Sequence, residues 1–312
     1  VTGGAGFIGS HIVDSLLSEG HRVKVLDNLY SGDVENLKGH EDNPSLEFIS
    51  GDLRNKEDVV KAVRGIDAVF HEAAITSVPA SVKEPELTRE VNVEGTVSLL
   101  EESLDEGVEK FIFASSCAVY GEVESVPVSE GAPLKPASPY AESKINGERQ
   151  VLRRLERGNT EPIIFRYFNV YGPGQSGGRY AGVITKFLER LENDKPPVIY
   201  GDGKQTRDFV FIDDIVRANL LALENGGFEV PIFNLGTGES VSVNELCGIL
   251  LEITGKTDLE PVYEEARSGD IRHSRADLSR VKKELGYSPE FTLRRGLKRL
   301  ILEGYFDLDV YN

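Results

Sequence analysis

Apolar residues in this chain fall into short runs that alternate with longer stretches of helical spacing. Ile8, Ile12, Val13, Leu16 and Leu17 recur at intervals that place them on one face of a helix, which Gly20 stops. Arg22 to Asp27 and Leu46 to Ser50 read as strands, Glu57 to Arg64 as a helix, and Ala68 to His71 as a short buried strand. A helix is expected from about Leu87 to Glu106, then a strand over Lys110 to Ser115. A further helix runs from Tyr140 to about Arg157, before a strand over Pro162 to Arg166. This alternation predicts an α/β fold: a doubly wound, mostly parallel sheet covered by helices on both faces.

After Tyr171 the pattern loosens into Gly/Pro-rich loops such as YGPGQSGG. We expect a larger domain over residues 1–170, with segments near 208–236 returning to it. A smaller α+β domain is made mainly of 171–312. Val1 and Thr2 read as the end of a strand, and the missing initiator methionine predicts that its first half lies upstream.

The first loop carries chemistry. Gly3, Gly6 and Gly9 lie at GxxGxxG spacing, with Phe7 and Ile8 opening the helix that follows. Such a turn lets backbone amides approach a pyrophosphate at the positive end of a helix. Asp27 ends the next strand eighteen residues after Gly9. Alone it could be a turn residue of Asp27-Asn28. With the loop it points to a dinucleotide, because a carboxylate there binds ribose hydroxyls and repels a 2′-phosphate. NAD is therefore expected rather than NADP. Further strand ends offer Asp52 and Leu53 for adenine and Ala73 and Ala74 for the pyrophosphate, with Asn92 in the helix beyond.

Charge and cysteine count narrow the setting. A net charge of -17 with no Lys/Arg block argues against nucleic acid as a partner. No apolar run is long enough to span a bilayer, and no signal-peptide pattern is visible. Two cysteines, Cys117 and Cys247, make no disulfide framework and suit a reducing, cytoplasmic compartment. No metal-ligating cluster is expected. In SPYAESK, Ser138 can cap a helix that Pro139 begins, and Tyr140 and Lys144, four apart, share a face.

The blocks TGGAGFIGSH, HEAA, NVEGT, SSCAVYGE, YAESK, RYFNVYGPGQ, GDGKQTRDFVFIDD, FNLGTGE and RSGDIRHS occur in this order across nearly the whole chain. Together they resemble the extended short-chain dehydrogenase/reductase family, of Rossmann type, and within it the UDP-glucose 4-epimerase group. The resemblance implies Tyr140 as catalytic base, Lys144 as a cation that together with the positive nicotinamide ring lowers its pKa and that holds the nicotinamide ribose, and Ser116 as proton relay. Tyr167 and Phe168 would lie by the nicotinamide and sugar.

Relatives that eliminate water carry Asp-Glu after the serine, and decarboxylating ones carry Glu before Val-Tyr-Gly. Here Cys117-Ala118 stands there, so reversible oxidation at C4 remains. Cys117 reads as a packing residue. By resemblance Arg207 and Arg267 clamp the diphosphate, Asn169 contacts phosphate or sugar, Asp270 the uridine ribose, and Tyr200 packs on uracil. Arg207 could instead pair with Asp208 or Asp213. A bulky tyrosine seven residues after the RxGD arginine restricts the sugar pocket in this group. The residue here is Ser274, which leaves room for an N-acetyl group. UDP-glucuronate stays open, because Ser77 to Val82 also looks like uronate epimerases. The resemblance further implies a homodimer built as a four-helix bundle from the helices near 87–106 and 140–157, where Val97, Leu99, Leu100, Val151 and Leu152 exceed one apolar face.

Overall fold

The computed structural model describes residues 1–155, 158–175, 182–266, 269 and 271–304. Its strands are β1 (Val23–Asp27), β2 (Leu46–Ser50), β3 (Ala68–His71), β4 (Lys110–Ser116) and β5 (Glu161–Tyr167). Beyond them come β6 (Asn169–Tyr171), β7 (Val198–Tyr200), β8 (Thr206–Arg207), β9 (Phe209–Phe211) and β10 (Ile232–Leu235). The pairs β1–β2, β3–β4, β4–β5 and β5–β10 are all parallel. Thr2 bridges both Leu26 and His71, so the first residues run between β1 and β3 and join the pairs into one sheet.

Strand residues alternate between two apolar layers, as a sheet covered on both faces requires. Val25, Ile112, Ile163 and Phe165 belong to the layer that includes α1 (Phe7–Ser18). Leu26, Phe111, Phe113 and Ile164 face the opposite layer, which includes α2 (Lys56–Val63). The helix expected over Leu87 to Glu106 is in fact three pieces, preceded by α3 (Val78–Lys83). They are α4 (Pro85–Arg89), a π-helical turn at Glu90–Gly95, and α5 (Thr96–Asp105). Apolar spacing runs on through the wider turn, so periodicity hides it. At Gly95 an added Cβ would lie 2.9 Å from the Leu53 Cβ, and the glycine is what allows that approach.

Helix α6 (Pro139–Leu155) starts on Pro139, and Ser138 Oγ accepts from the Ala141 amide at 3.1 Å. Leu99, Leu100 and Val151, read above as surplus apolar positions, are all buried in the second layer beneath the sheet. Only Val97 and Leu152 of that set stay half-buried. Past α7 (Val183–Glu192), β7 pairs in parallel with Val262–Glu264 and β8 pairs antiparallel with Val241–Ser242. β9 pairs with β6 and runs straight into α8 (Ile212–Glu224), which packs against α1 before β10 rejoins the sheet.

Candidate active site

A cleft of about 660 Å³ opens along the C-terminal ends of β1, β3, β4 and β5, a size that suits a bound small molecule. Its floor begins at the glycine loop. Gly3 has φ +68°, and a Cβ there would lie 2.7 Å from the Ala73 nitrogen; at Gly9 it would meet the Gly3 oxygen at 2.1 Å. No side chain caps α1, whose first-turn amides have no acceptor within the helix. Phe7, Ile8 and Gly9 all line the cleft, with Gly3 and Gly6. Asp27 is buried and serves both as a turn residue and as a loop anchor. Its carboxylate accepts from the Leu29 amide at 2.8 Å and from the Ala5 amide at 3.0 Å. A carboxylate has further lone pairs for two ribose hydroxyls.

Asn28, Asp52, Leu53, Ala73 and Ala74 line the same groove. Asn28 Nδ2 donates to Asp52 Oδ2 at 2.9 Å, and the Arg54 guanidinium holds the Asp52 carboxyl well below the usual range. Gly32, which sequence reasoning missed, also lines it; a Cβ there would come within 2.8 Å of the Ala5 backbone. The unpartnered amides, the space that only glycine leaves and the carboxylate fit NAD. Asn92 does not belong to this lining. It is buried behind the wall, where its Oδ1 accepts from the Ile75 amide at 2.7 Å and its Nδ2 donates to the Ile75 carbonyl and to Ser143 Oγ. Its amide braces the Ile75 loop instead of facing a cofactor.

Ser116, Tyr140, Lys144 and Tyr167 meet at the other end of the cleft. The Tyr140 hydroxyl lies close enough to the Ser116 side chain for Ser116 to pull its pKa down. Lys144 is 3% exposed and donates to the Ala114 carbonyl at 2.7 Å, with its nitrogen 6.0 Å from the centre of the Tyr140 ring. The backbone of Tyr140 is fixed from α3, as its amide donates to Ser81 Oγ at 3.1 Å. One expectation needs correction. Burial pushes Tyr140 up to about 12, against the pull of Ser116, and it pushes Lys144 down to about 8. Within the protein, desolvation is the largest influence, and the nearby Cys117 and Glu72 act in the same direction, so the protein alone does not bring the phenol towards neutrality.

Two buried networks support this end. Arg166 and Glu148 form a buried ion pair at 2.6 Å, Ser115 donates to the same carboxylate, and Arg166 also reaches the Tyr120 hydroxyl at 2.9 Å. Tyr120 in turn donates to Asn234 Oδ1 on β10. The sequence signal for Glu148 was its place four residues after Lys144 on the same helical face. His71 lies between Thr2 Oγ1 at 2.7 Å and Thr96 Oγ1 at 2.8 Å, and burial drives its pKa down to about 3. It stays neutral and structural. Glu72, beside it, lines the cleft and accepts from the Tyr167 hydroxyl at 2.9 Å.

The remaining predicted residues divide. Asn169 lines the cleft, and its Oδ1 is buried with no hydrogen-bond partner among the described residues. Ser274 lies beside the Cys117 thiol, which follows Ser116 in the chain. Burial pushes that thiol up to about 11, against the pull of Arg207, so Arg207 lies at the same end. Asp208 is fully buried and accepts from Thr237, Gly238 and Ala276, while Asp213 pairs with Arg299. Tyr200, Arg207 and Ser274 belong to the surroundings of the cleft, not to its immediate lining. Arg267 and Asp270 lie outside the described residues.

The cysteines are both free, no metal-holding cluster exists among the described residues, and none of their helices is long and apolar enough to cross a membrane. Residues 1–236 match the NAD dependent epimerase/dehydratase family. A putative UDP-glucose 4-epimerase of Methanocaldococcus jannaschii is 40% identical over 303 residues, 96% of each chain. The structure of Thermotoga maritima UDP-glucose 4-epimerase with UDP-glucose has a TM-score of 0.91 at 42% identity, covering 97% of this chain and 96% of that one. A UDP-N-acetylglucosamine 4-epimerase of Methanobrevibacter ruminantium, in complex with UDP-N-acetylmuramic acid, also gives 0.91, at 37% identity and the same coverage. With the glycine loop and the tyrosine–lysine helix now meeting in one cleft, the chain belongs to the NAD-dependent epimerase/dehydratase family.

Proposed function

We propose that this enzyme inverts C4 of UDP-sugars, interconverting UDP-glucose and UDP-galactose and their 2-acetamido counterparts, with NAD retained in the cleft. The observation that carries the reading is the meeting of Ser116, Tyr140 and Lys144 at one end of a groove whose other end is the glycine loop with Asp27. NAD, held by the loop amides, Asp27 and Lys144, supplies the hydride acceptor and donor for C4. Tyr140 takes the O4 proton through or beside Ser116 and returns it after the 4-keto sugar has turned over. Lys144 keeps positive charge beside the phenol, and the shell of Ala114, Phe168 and Tyr167 excludes water.

Substrate breadth rests on the sugar end. Behind Ser116, Cys117 and Ser274 are small side chains near one another, and neither is an acid that could serve elimination. Arg207 and Arg267 clamp the diphosphate, Asn169 Oδ1 receives a ligand donor, and Asp270 and Tyr200 hold the uridine. The protein acts in the cytoplasm, as two free thiols suit, and as a homodimer through α5 and α6, where Val97 and Leu152 supply the remaining apolar surface. Incubation with UDP-glucose, UDP-N-acetylglucosamine and UDP-glucuronate, with product identification by NMR, tests the reading. Conversion of the first two is expected, and Ser274→Tyr should abolish only the second. No turnover of the acetylated sugar by the wild type would sink the broad-pocket reading.

A further inference from the structure

Glu72 takes no part in the steps above, yet it lines the cleft with Tyr140, Lys144 and Tyr167. It follows His71 at the end of β3, and side chains alternate along a strand, so the two point to opposite faces. His71 is shut between Thr2 and Thr96. Glu72 instead reaches β5, where the Tyr167 hydroxyl donates to its Oε1 at 2.9 Å. Asn219 Nδ2, fully buried on α8, donates to that same hydroxyl at 2.9 Å. Tyr167 is thus committed as a donor towards Glu72, and the carboxyl is held in one place. Lys144 attracts it, but that ammonium donates to the Ala114 carbonyl.

We infer that Glu72 is the counter-charge of the cofactor's reactive ring, a carboxylate fixed at the Tyr140 end of the cleft that favours the oxidised, cationic nicotinamide over the reduced, neutral one. This rests on the reading that the nicotinamide lies at the Tyr140 end. The two forms differ by one positive charge, so a nearby carboxylate binds them unequally, by about tenfold at the reduced dielectric of a cleft. An epimerase starts each turnover with its cofactor oxidised. A bias of this sign drives hydride back onto the sugar and limits enzyme stranded with reduced cofactor.

Glu72→Gln separates charge from scaffold, because the amide oxygen still accepts from Tyr167. Burial lifts the Glu72 carboxyl to about 7, so binding is measured near pH 8, where most of it is ionised. Dissociation constants for NAD, by calorimetry, and for NADH, by its fluorescence, are compared across wild type, Glu72→Gln and Glu72→Asp. The expected result is a NAD-to-NADH affinity ratio about tenfold lower in the glutamine variant, with partial recovery in the aspartate variant. Equal proportional changes in both constants, or none, would overturn the inference and leave Glu72 a scaffold for Tyr167. Wild-type protein that binds neither form would overturn the cofactor placement itself.

Discussion

Replacing Lys144 with methionine removes one charge from the cleft and keeps an unbranched side chain of similar length. The ammonium nitrogen is 6.0 Å from the centre of the Tyr140 ring. At an effective dielectric of ~20, unit charges at that spacing interact by roughly 2.8 kcal/mol, or about two pKa units. Burial already holds the phenol at about 12, so losing the lysine moves a weak base further from neutrality. At neutral pH and saturating NAD, where Lys144 is charged, kcat should fall roughly 100-fold, and the loss should shrink as pH rises through about 8 and the wild-type ammonium is neutralised. Cofactor affinity is measured separately, since Lys144 is also proposed to hold NAD.

Stability should move the other way. Lys144 is lowered by burial from 10.5 to about 8, so between those values the unfolded chain binds the extra proton. The cation therefore destabilises the fold fully below about pH 8, and the penalty disappears as pH rises through 10.5. Lys144→Met should gain up to roughly 3 kcal/mol at neutral pH in urea melts. A kcat within about threefold of wild type across the whole pH range would refute the electrostatic account of Lys144.

Other changes probe the supporting structure. Glu148→Gln leaves the Arg166 guanidinium buried without its counter-charge and should cost ~3–5 kcal/mol in denaturant melts; a loss below about 1 would contradict the network. Ser138→Ala removes the cap of α6 and should cost about 1 kcal/mol, with Ser138→Asp restoring it. His71, held neutral with a pKa of about 3 against an ordinary 6.5, makes the unfolded chain the better proton acceptor between those values. Stability is then lost as pH falls through that window, by up to roughly 5 kcal/mol from this group. His71→Asn should flatten that slope, and an unchanged slope would exclude His71 as its source.

Strands with clean apolar runs, such as Lys110 to Ser116, were legible because both their faces are buried and their composition says so. The catalytic helix was legible from Ser138 and Pro139, whose preferences are local. The π turn at Glu90–Gly95 was not, because an extra residue per turn leaves apolar spacing nearly intact. Asn92 was expected in the cleft because an asparagine in a helix looks the same in sequence whether its amide binds backbone or cofactor. Glu72 and Arg166 were passed over because their partners, Tyr167, Asn219 and Tyr120, are brought in by the crossing of the sheet. Direction of the Tyr140 shift was also invisible, since burial is a property of the assembled fold.

The bond from Tyr120 to Asn234 spans 114 positions along the chain, and that from Asn219 to Tyr167 spans 52. Arg166 and Tyr167, whose polar contacts these bonds complete, belong to the strand at the heart of the cleft. A nascent chain that has emerged only as far as α6 therefore holds Tyr140 and Lys144 on a strand order still lacking β5, β10 and α8. Such late, long-range closure makes for slow acquisition of activity. A fragment ending after β5, expressed alone, would carry the whole glycine loop and the whole tyrosine–lysine motif, yet leave the Tyr120 hydroxyl that meets Arg166 without Asn234 and the Tyr167 hydroxyl without Asn219.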